Sequence, residues 1–450
     1  MRVNKIFPPS GYKSWWLSLP SVFCLATLMF VMGFWMSAGG NGFASANGFW
    51  LPDSSSYAQA ADTLLKGDLD LLRTPVYPLI IALLRAIVGP VYTYKALLLV
   101  QFIFFLISGI LLREIAAKFT GSIKVGFWIS SIYLLFPGHI VTCVNIMTES
   151  FSVSGVVVLL WCLMRRYPKF PTWIDGILSG LVLAFLIYLR PIFLYLIPVV
   201  FVYYLVLLIR KKKDFRFSFS VGCAMLTIIV ASLFVYQHAM TKKYGIHAIT
   251  MVNIVNNFST AKEGIGMHPD LASTQELQAL LEEVEAQHNM GACDDAVALM
   301  PYYLSNPIVF EEYTNRLLRY SPKDVLKHVL FRRLPAVVNS KLFISYTRFP
   351  FNIVEIFNPT MHVYFAVIVW FLVFFVFYVR RSGSLPPITS LLLMITLGIT
   401  FTSIIGAMGD WPRLNMPGIP AFLLIAGKLC TFYRPKITKS SSCSDTLMLF

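Results

Sequence analysis

The sequence predicts an all-α polytopic membrane protein with about ten transmembrane helices, helices lying along the external surface, and a mostly helical external domain. Three observations predict it. Hydrophobic residues fill 57% of the 450 positions and charged residues only 13%, against about 45–50% and about 25% in an ordinary soluble domain. The apolar residues fall in blocks of roughly 20, the length that crosses a hydrocarbon core about 30 Å thick. The Lys and Arg behind the net charge of +15 cluster in short stretches between those blocks, a pattern that orients a membrane protein. A soluble globular enzyme is thereby excluded, and the positive charge points to a lipid bilayer as partner rather than to a nucleic acid.

In order, the blocks lie near 17–38, 92–113, 125–140, 148–164, 172–189, 192–209, 217–238, 361–379, 386–406 and 415–432. The first follows Arg2, Lys5 and Lys13 as a signal peptide would. Its run from Leu17 to Ala38 exceeds the usual 7–15 residues of such a segment, so it reads as an uncleaved span. With ten crossings, six basic clusters share one side: the N-terminus, Arg113/Lys118/Lys124, Arg165/Arg166/Lys169, Arg210 to Lys213 with Arg216, Arg380/Arg381, and Arg434/Lys436/Lys439. By the positive-inside rule that side is the cytoplasm, and both termini lie there. Asp53, Asp62, Asp68, Asp70, Glu149, the acids of 263–355 and Asp410 then face outward. Function is expected on that face, the periplasmic one if the membrane is a bacterial inner membrane.

The chain divides accordingly into 1–239, holding seven spans and an external loop at 40–91; 240–360, an external helical domain; and 361–450, three spans and a cytoplasmic tail. Within the loop, two moderately apolar stretches, including Val76 to Val88, are too short for spans and read as surface helices. In the external domain, Ser273-x-x-Glu276 reads as a capping box ahead of Leu277, Leu280, Leu281 and Val284 at helical spacing. Ser321-Pro322-Lys323-Asp324 repeats that signal with proline at the first helical position. The seven Cys show no metal-ligand spacing. Of these only Cys143 and Cys293 fall in segments placed outside, and no metal or cofactor is expected.

Several polar groups need an explanation. Asp53, in Leu51-Pro52-Asp53-Ser54-Ser55-Ser56-Tyr57, reads first as a helix N-cap. Arg73-Thr74-Pro75-Val76-Tyr77-Pro78 reads as an interfacial anchor with its tyrosine at headgroup depth. Glu149, in Ile146-Met147-Thr148-Glu149, sits where one span turns into the next. An acid at membrane depth costs about 2.5–3.5 kcal/mol, so it points to a functional cavity or, more simply, to another N-cap. Arg190 in Leu189-Arg190-Pro191, and Asp410 with Arg413 in Asp410-Trp411-Pro412-Arg413-Leu414-Asn415, bring guanidinium groups to the same outer level. Their planar forks suit a phosphate oxygen pair, the headgroup of an anionic lipid. His268, His288 and His328 have no partner at helical spacing and read as surface or core residues.

The acid after the first span, followed by Tyr57, Ala58, Gly67 and Arg73-Thr74-Pro75-Val76-Tyr77-Pro78-Leu79, resembles the first external loop of the GT-C membrane glycosyltransferases. These are of the protein-mannosyltransferase and aminoarabinose-transferase type. Pro137 with Thr148-Glu149, the Leu189-Arg190-Pro191 turn, and Arg413-Leu414-Asn415-Met416-Pro417-Gly418-Ile419-Pro420 are similar to further landmarks in the same order. Many relatives carry Asp-Glu where Asp53 is followed by Ser54, and several have more spans. The resemblance implies transfer of one sugar from a polyprenyl-phosphate donor to a glycan, lipid or protein acceptor, with inversion. Asp53 would be the base and Glu149 its helper, with Arg413, Arg190 and Arg73 on the donor phosphate and Tyr57, Tyr77 and Asp410 lining the substrates.

Such a transfer needs a base for the acceptor proton and cations for the departing phosphate. Two other classes fit the same outline: a ligase or polymerase acting on a pyrophosphate-linked glycan, and a polytopic lipid or sugar transporter. Transporters tend to carry repeated halves, and no internal repeat is present. The orientation is tested by labelling intact cells: a cysteine introduced at Glu285 reacts with an impermeant reagent and one at Lys212 does not. The reverse pattern would invert the topology.

Overall fold

A computed structural model of the protein describes residues 13–37, 48–50, 53–167, 172–210, 215–286, 292–339, 361–382, 387–406 and 415–432. Among the described residues the chain is all-α, and the only extended pairing is an isolated bridge between Phe49 and Asn145. In order the helices are α1 (Lys13–Met36), α2 (Ser54–Leu65), α3 (Val76–Val88), α4 (Thr93–Thr120), α5 (Ile123–Leu135), α6 (Pro137–Val144), α7 (Glu149–Met164), α8 (Trp173–Leu189), α9 (Leu196–Arg210) and α10 (Phe215–Tyr244). The segment 240–360 supplies α11 (Met251–Ile265), α12 (Gln275–Ala286), α13 (Ala292–Ala298), α14 (Met300–Ser305), α15 (Pro307–Tyr320), α16 (Pro322–His328) and α17 (Leu334–Asn339), a π-turn (Val329–Arg333) joining the last two. The chain ends with α18 (Met361–Ser382), α19 (Pro387–Gly406) and α20 (Ile419–Phe432).

Every apolar block read from the sequence is helical, but the block lengths differ from expectation. Leu19–Met36, Thr93–Thr120 and Val221–Tyr244 are long and apolar enough to cross a membrane; the α5–α6 pair, bent by 47°, makes a fourth if it is one crossing. In the other helices the described apolar stretch is shorter, as in Ile368–Phe377 and Pro387–Thr402. Prolines explain two of the interruptions, because a residue before proline is pushed out of the helical region. Phe136 before Pro137 is extended at φ −69°, ψ 113°, and Arg190 before Pro191 at φ −152°, ψ 120°.

The side chains that face outward are apolar. Leu99, Ile103, Ile107 and Ile110 are exposed on α4, Val230, Phe234 and Val235 on α10, and Val369, Trp370, Val373 and Phe377 on α18. Stripes of this size would aggregate in water; against acyl chains they are the matching surface. Inside, α7 is buried at every position except Val158 and Trp161, as expected of a helix apolar all round. It packs against α4, α8 and α20 and forms the centre of the bundle.

Small residues set how closely the helices approach, since lipid gives no hydrophobic push between them. A Cβ at Gly126 of α5 would lie 2.8 Å from the carbonyl oxygen of Arg113 on α4, and one at Gly176 of α8 would lie 2.5 Å from that of Val221 on α10. The helices α11 to α16 have their own core, in which Phe258, Phe310 and Tyr313 meet Leu277, Leu281 and Leu317. Leu277, Leu281 and Val284 of α12 are buried and Leu280 packs beside them, as their spacing required. The N-terminal hydroxyl is one residue later than the capping box implied: Thr274 Oγ1, not Ser273, accepts the Leu277 amide at 3.2 Å. Pro322 does begin α16 after Ser321.

The helix contacts make a stability prediction. Gly126→Val drives a branched side chain into backbone and should lower stability by about 1–3 kcal/mol, read as a lower melting temperature in detergent. Gly222→Ala meets only Tyr204 Cβ at 3.7 Å and should leave the melting temperature unchanged.

Candidate functional site

The two acids and two of the arginines singled out above gather at the end of the bundle that carries the α11–α16 core. Asp53 stands at the N-cap position of α2, but its carboxylate makes no cap hydrogen bond. Its Oδ1 instead accepts Arg73 Nη2 at 2.7 Å. The N-cap reading is therefore corrected: an opposite charge within reach is worth more to a carboxylate than a backbone amide. Arg73 also donates Nε to Ser56 Oγ at 2.7 Å, approaches the Tyr57 hydroxyl through Nη1 at 3.4 Å, and lies 4.4 Å from the Tyr57 ring centroid, within cation–π range. The chain between α2 and α3 is shaped to aim it. Asp70 Oδ1 accepts the backbone amides of Leu72 at 2.9 Å and Arg73 at 2.6 Å, a side-chain-built turn. Burial pushes the Asp70 carboxyl above the usual carboxylate range, and those two amides oppose the shift.

Glu149 begins α7 one position after the N-cap residue, Thr148. Its side chain is 1% exposed, and Oε1 accepts Arg190 Nη1 at 2.9 Å. This too replaces the N-cap reading with a buried ion pair. Arg190 is free to reach across because the extended residue before Pro191 leaves the helix there. The two pairs are tied together. Thr74, next to Arg73, donates its hydroxyl to the Leu189 carbonyl at 3.1 Å, one of the acceptors that the end of α8 leaves over. Ser54, next to Asp53, donates to the Ile146 carbonyl at 3.0 Å. Phe49 donates its amide to the Val144 carbonyl at 2.9 Å and its carbonyl accepts the Ile146 amide at 3.3 Å.

Tyr57 and Tyr77 meet edge to face with centroids 5.0 Å apart. Tyr77 is fully buried and gives its hydroxyl to Gln101 Oε1 at 2.8 Å, while Gln101 Nε2 donates to the carbonyls of Cys143 and Asn145 at 3.1 and 3.0 Å. Tyr77 thus holds the loop to the bundle, and Tyr57 is the tyrosine that touches the arginine. Arg413 and Asp410 lie outside the described residues. The chain resumes at Asn415, which is buried and accepts the Thr400 hydroxyl at 3.0 Å, and Met416–Gly418 packs on α7.

Reading the sequence missed Asp70, Thr74 and Gln101. Gln101 carried a signal, an amide inside the apolar run Leu97–Phe105, since polar groups at membrane depth demand partners. Cys143, expected in an external segment, is a buried free thiol with Ser150 Oγ at 3.3 Å; the Cys293 side chain lies outside the described residues. His268 has Asp270 at 3.6 Å and His328 has Glu263 at 3.3 Å, while His288 is not among the described residues.

Removing one member of a buried ion pair costs about 3–5 kcal/mol, whereas replacing both is far milder. Arg190→Met alone should therefore lower the melting temperature sharply, and Glu149→Gln added to it should restore much of the loss. Additive losses would mean that the pair is not buried together. Asp70→Asn keeps an oxygen for both amides and should be nearly neutral, while Asp70→Ala should cost about 1–3 kcal/mol.

No protein-family model matches the chain, and no curated protein matches it, so the site is read from its own chemistry.

Proposed function

We propose that the protein is an integral membrane glycosyltransferase that moves a single sugar from a polyprenyl-phosphate donor to a hydroxyl acceptor at the external face of the membrane. The reading takes the ten helical blocks as crossings, with both termini in the cytoplasm. One observation carries it: Asp53 and Glu149, remote in sequence, each meet an arginine at the same end of the bundle, and hydrogen bonds from Ser54 and Thr74 tie the two pairs together. Charge kept at that depth is costly and calls for a use, and carboxylate with guanidinium is the combination this transfer requires.

The two acids differ in access, which divides their roles. The Asp53 side chain is 32% exposed and the Glu149 side chain 1%, so only Asp53 is open to an incoming hydroxyl. Asp53 takes the acceptor proton as the acceptor oxygen attacks the anomeric carbon. The bond from that carbon to the phosphate oxygen breaks, and polyprenyl phosphate leaves with the electron pair. Arg73, already beside Asp53, draws the donor phosphate toward the base and offsets the charge of the leaving group. Arg190 is engaged by the buried Glu149, and this pair holds the end of α7 against the end of α8. Tyr57 packs under the guanidinium of Arg73; the resemblance assigns Arg413 to the donor phosphate and Asp410 to the substrates.

The test is release of polyprenyl phosphate from polyprenyl-phosphate sugars by protein reconstituted in liposomes with mixed hydroxyl acceptors. Loss of a general base typically costs about 10²–10⁴-fold, so Asp53→Asn should lower turnover by that factor with the fold intact. Arg73→Ala should weaken donor use by about 1.5–3 kcal/mol, or roughly one to two decades. Near wild-type turnover in Asp53→Asn would reduce Asp53 to an anchor for Arg73. Absence of sugar transfer from every donor would remove the reading altogether.

A further inference from the structure

The segment from α16 through the π-turn to α17 has a character that the glycosyl-transfer site does not explain. One side of it is buried: Val325, Val329, Arg333 and Val337, spaced four apart, point inward. Val329 and Val337 pack with Ile368 of α18 and Ile404 of α19. Arg333 donates Nε to Glu263 Oε2 at 2.6 Å and Nη1 to Thr260 Oγ1 at 2.9 Å, which ties the segment to α11. The other side is exposed and apolar. Leu326 is 55% exposed, Phe331 71%, and Leu330 is exposed between them.

Those exposed residues form two adjacent rows at helical spacing. Leu326 and Leu330 make one, and Lys323, Lys327 and Phe331 the other, while Leu334 turns partly inward onto the Val329 and Val337 cluster. Arg332 is exposed as well, and the one acid of the segment, Asp324, is engaged by the Ser321 hydroxyl. The exposed face is therefore apolar and cationic together, the composition of a helix that lies in the plane of a membrane interface. Its depth agrees. Ile368, against which Val337 packs, is about seven residues, or roughly 10 Å, from the start of α18. Beside it Val369 and Trp370 are exposed on the same helix, so the apolar rows continue the surface that faces acyl chains.

We propose that Pro322–Asn339 lies in the headgroup–acyl boundary of the bilayer, with Leu326, Leu330 and Phe331 among the lipid chains and Lys323, Lys327 and Arg332 on anionic headgroups. The segment thereby pins the external helical domain to the membrane beside α18 and α19. The inference rests on the reading of α18 as a membrane span, and not on the glycosyltransferase chemistry.

Spin labels test it on the full-length protein, with its native cysteines replaced, in nanodiscs of phosphatidylglycerol and phosphatidylcholine. Labels are introduced singly at Leu330, Phe331, Phe377 and Glu283, and collision with lipid-soluble oxygen is compared with collision with a water-soluble nickel chelate. Positions 330 and 331 should favour oxygen, as Phe377 does, while Glu283 favours nickel. Lys323→Glu with Lys327→Glu should shift label 331 toward nickel in phosphatidylglycerol and much less in phosphatidylcholine alone. If 330 and 331 favour nickel while 377 favours oxygen, the segment faces water and the inference is overturned. Shielding of both positions from both reagents would mean that a second copy or another protein covers the face, which overturns it equally. A nickel-accessible Phe377 would instead overturn the span reading of α18. Should the cysteine-free protein misfold, p-benzoylphenylalanine at 331 in the native-cysteine chain gives the same answer: lipid adducts uphold the inference, and adducts to protein alone refute it.

Discussion

A charge withdrawn from water has to meet an opposite charge, and this molecule is organised by that requirement. Asp53 meets Arg73 and Glu149 meets Arg190 at one end of the bundle. Asp175, buried at the start of α8, meets Arg165 and Arg166. Among α11 to α17, Asp295 meets Lys262 and Arg333 meets Glu263. In most of these pairs one partner is deeply buried, so losing its mate would strand a charge in a medium that cannot solvate it. The backbone turns around them follow from the need to bring each partner within reach.

The pairs do different work at the two ends. Arg165 and Asp175 are 10 residues apart, and together with the Thr172 capping box they close a single short connection. Arg73 and Asp53 are 20 residues apart, and Arg190 and Glu149 are 41 apart. These join separate helices, and the Thr74 to Leu189 bond spans 115 residues. An end held by such long-range contacts is assembled only when the bundle is, which suits a site that must hold charged groups in fixed relation. The close passage of α5 over α4 at Gly126, and of α8 over α10 at Gly176, lets α7 sit at the centre with Glu149 at its tip.

The difference in exposure between Asp53 and Glu149 is the main constraint on chemistry. Two acids placed symmetrically would leave their roles interchangeable. Here one is sealed with its arginine and the other is partly open beside a guanidinium that lies over an aromatic ring, and the proposed division into base and positioning group rests on that difference in solvent access. The segment from the end of α10 into α11 supports this arrangement: the Met251 amide bonds the Leu71 carbonyl at 2.9 Å, and Lys243 reaches Asp68, which steadies the connection that carries Asp70 and Arg73.

The sequence by itself determined where the helices lie, and at several prolines where one begins or breaks. Apolar block length, proline at positions 137, 191 and 322, and the spacing of Leu277, Leu281 and Val284 act through neighbours on the same stretch of chain, and local steric and hydrophobic terms are legible in one dimension. It also singled out Asp53, Arg73, Glu149 and Arg190, because charge and proline beside apolar runs are conspicuous. Which of them pair was decided only by tertiary structure. Read locally, Asp53 is a helix cap and Glu149 either a functional acid or a cap; folded, each lies near an arginine from another element, and the stronger partner wins. Asp70, Thr74 and Gln101 gain their roles in the same way, from carbonyls and amides that meet them only after the helices pack. Even the hydroxyl that caps α12 moved from Ser273 to Thr274, since the entry angle of that helix is set by the core it joins.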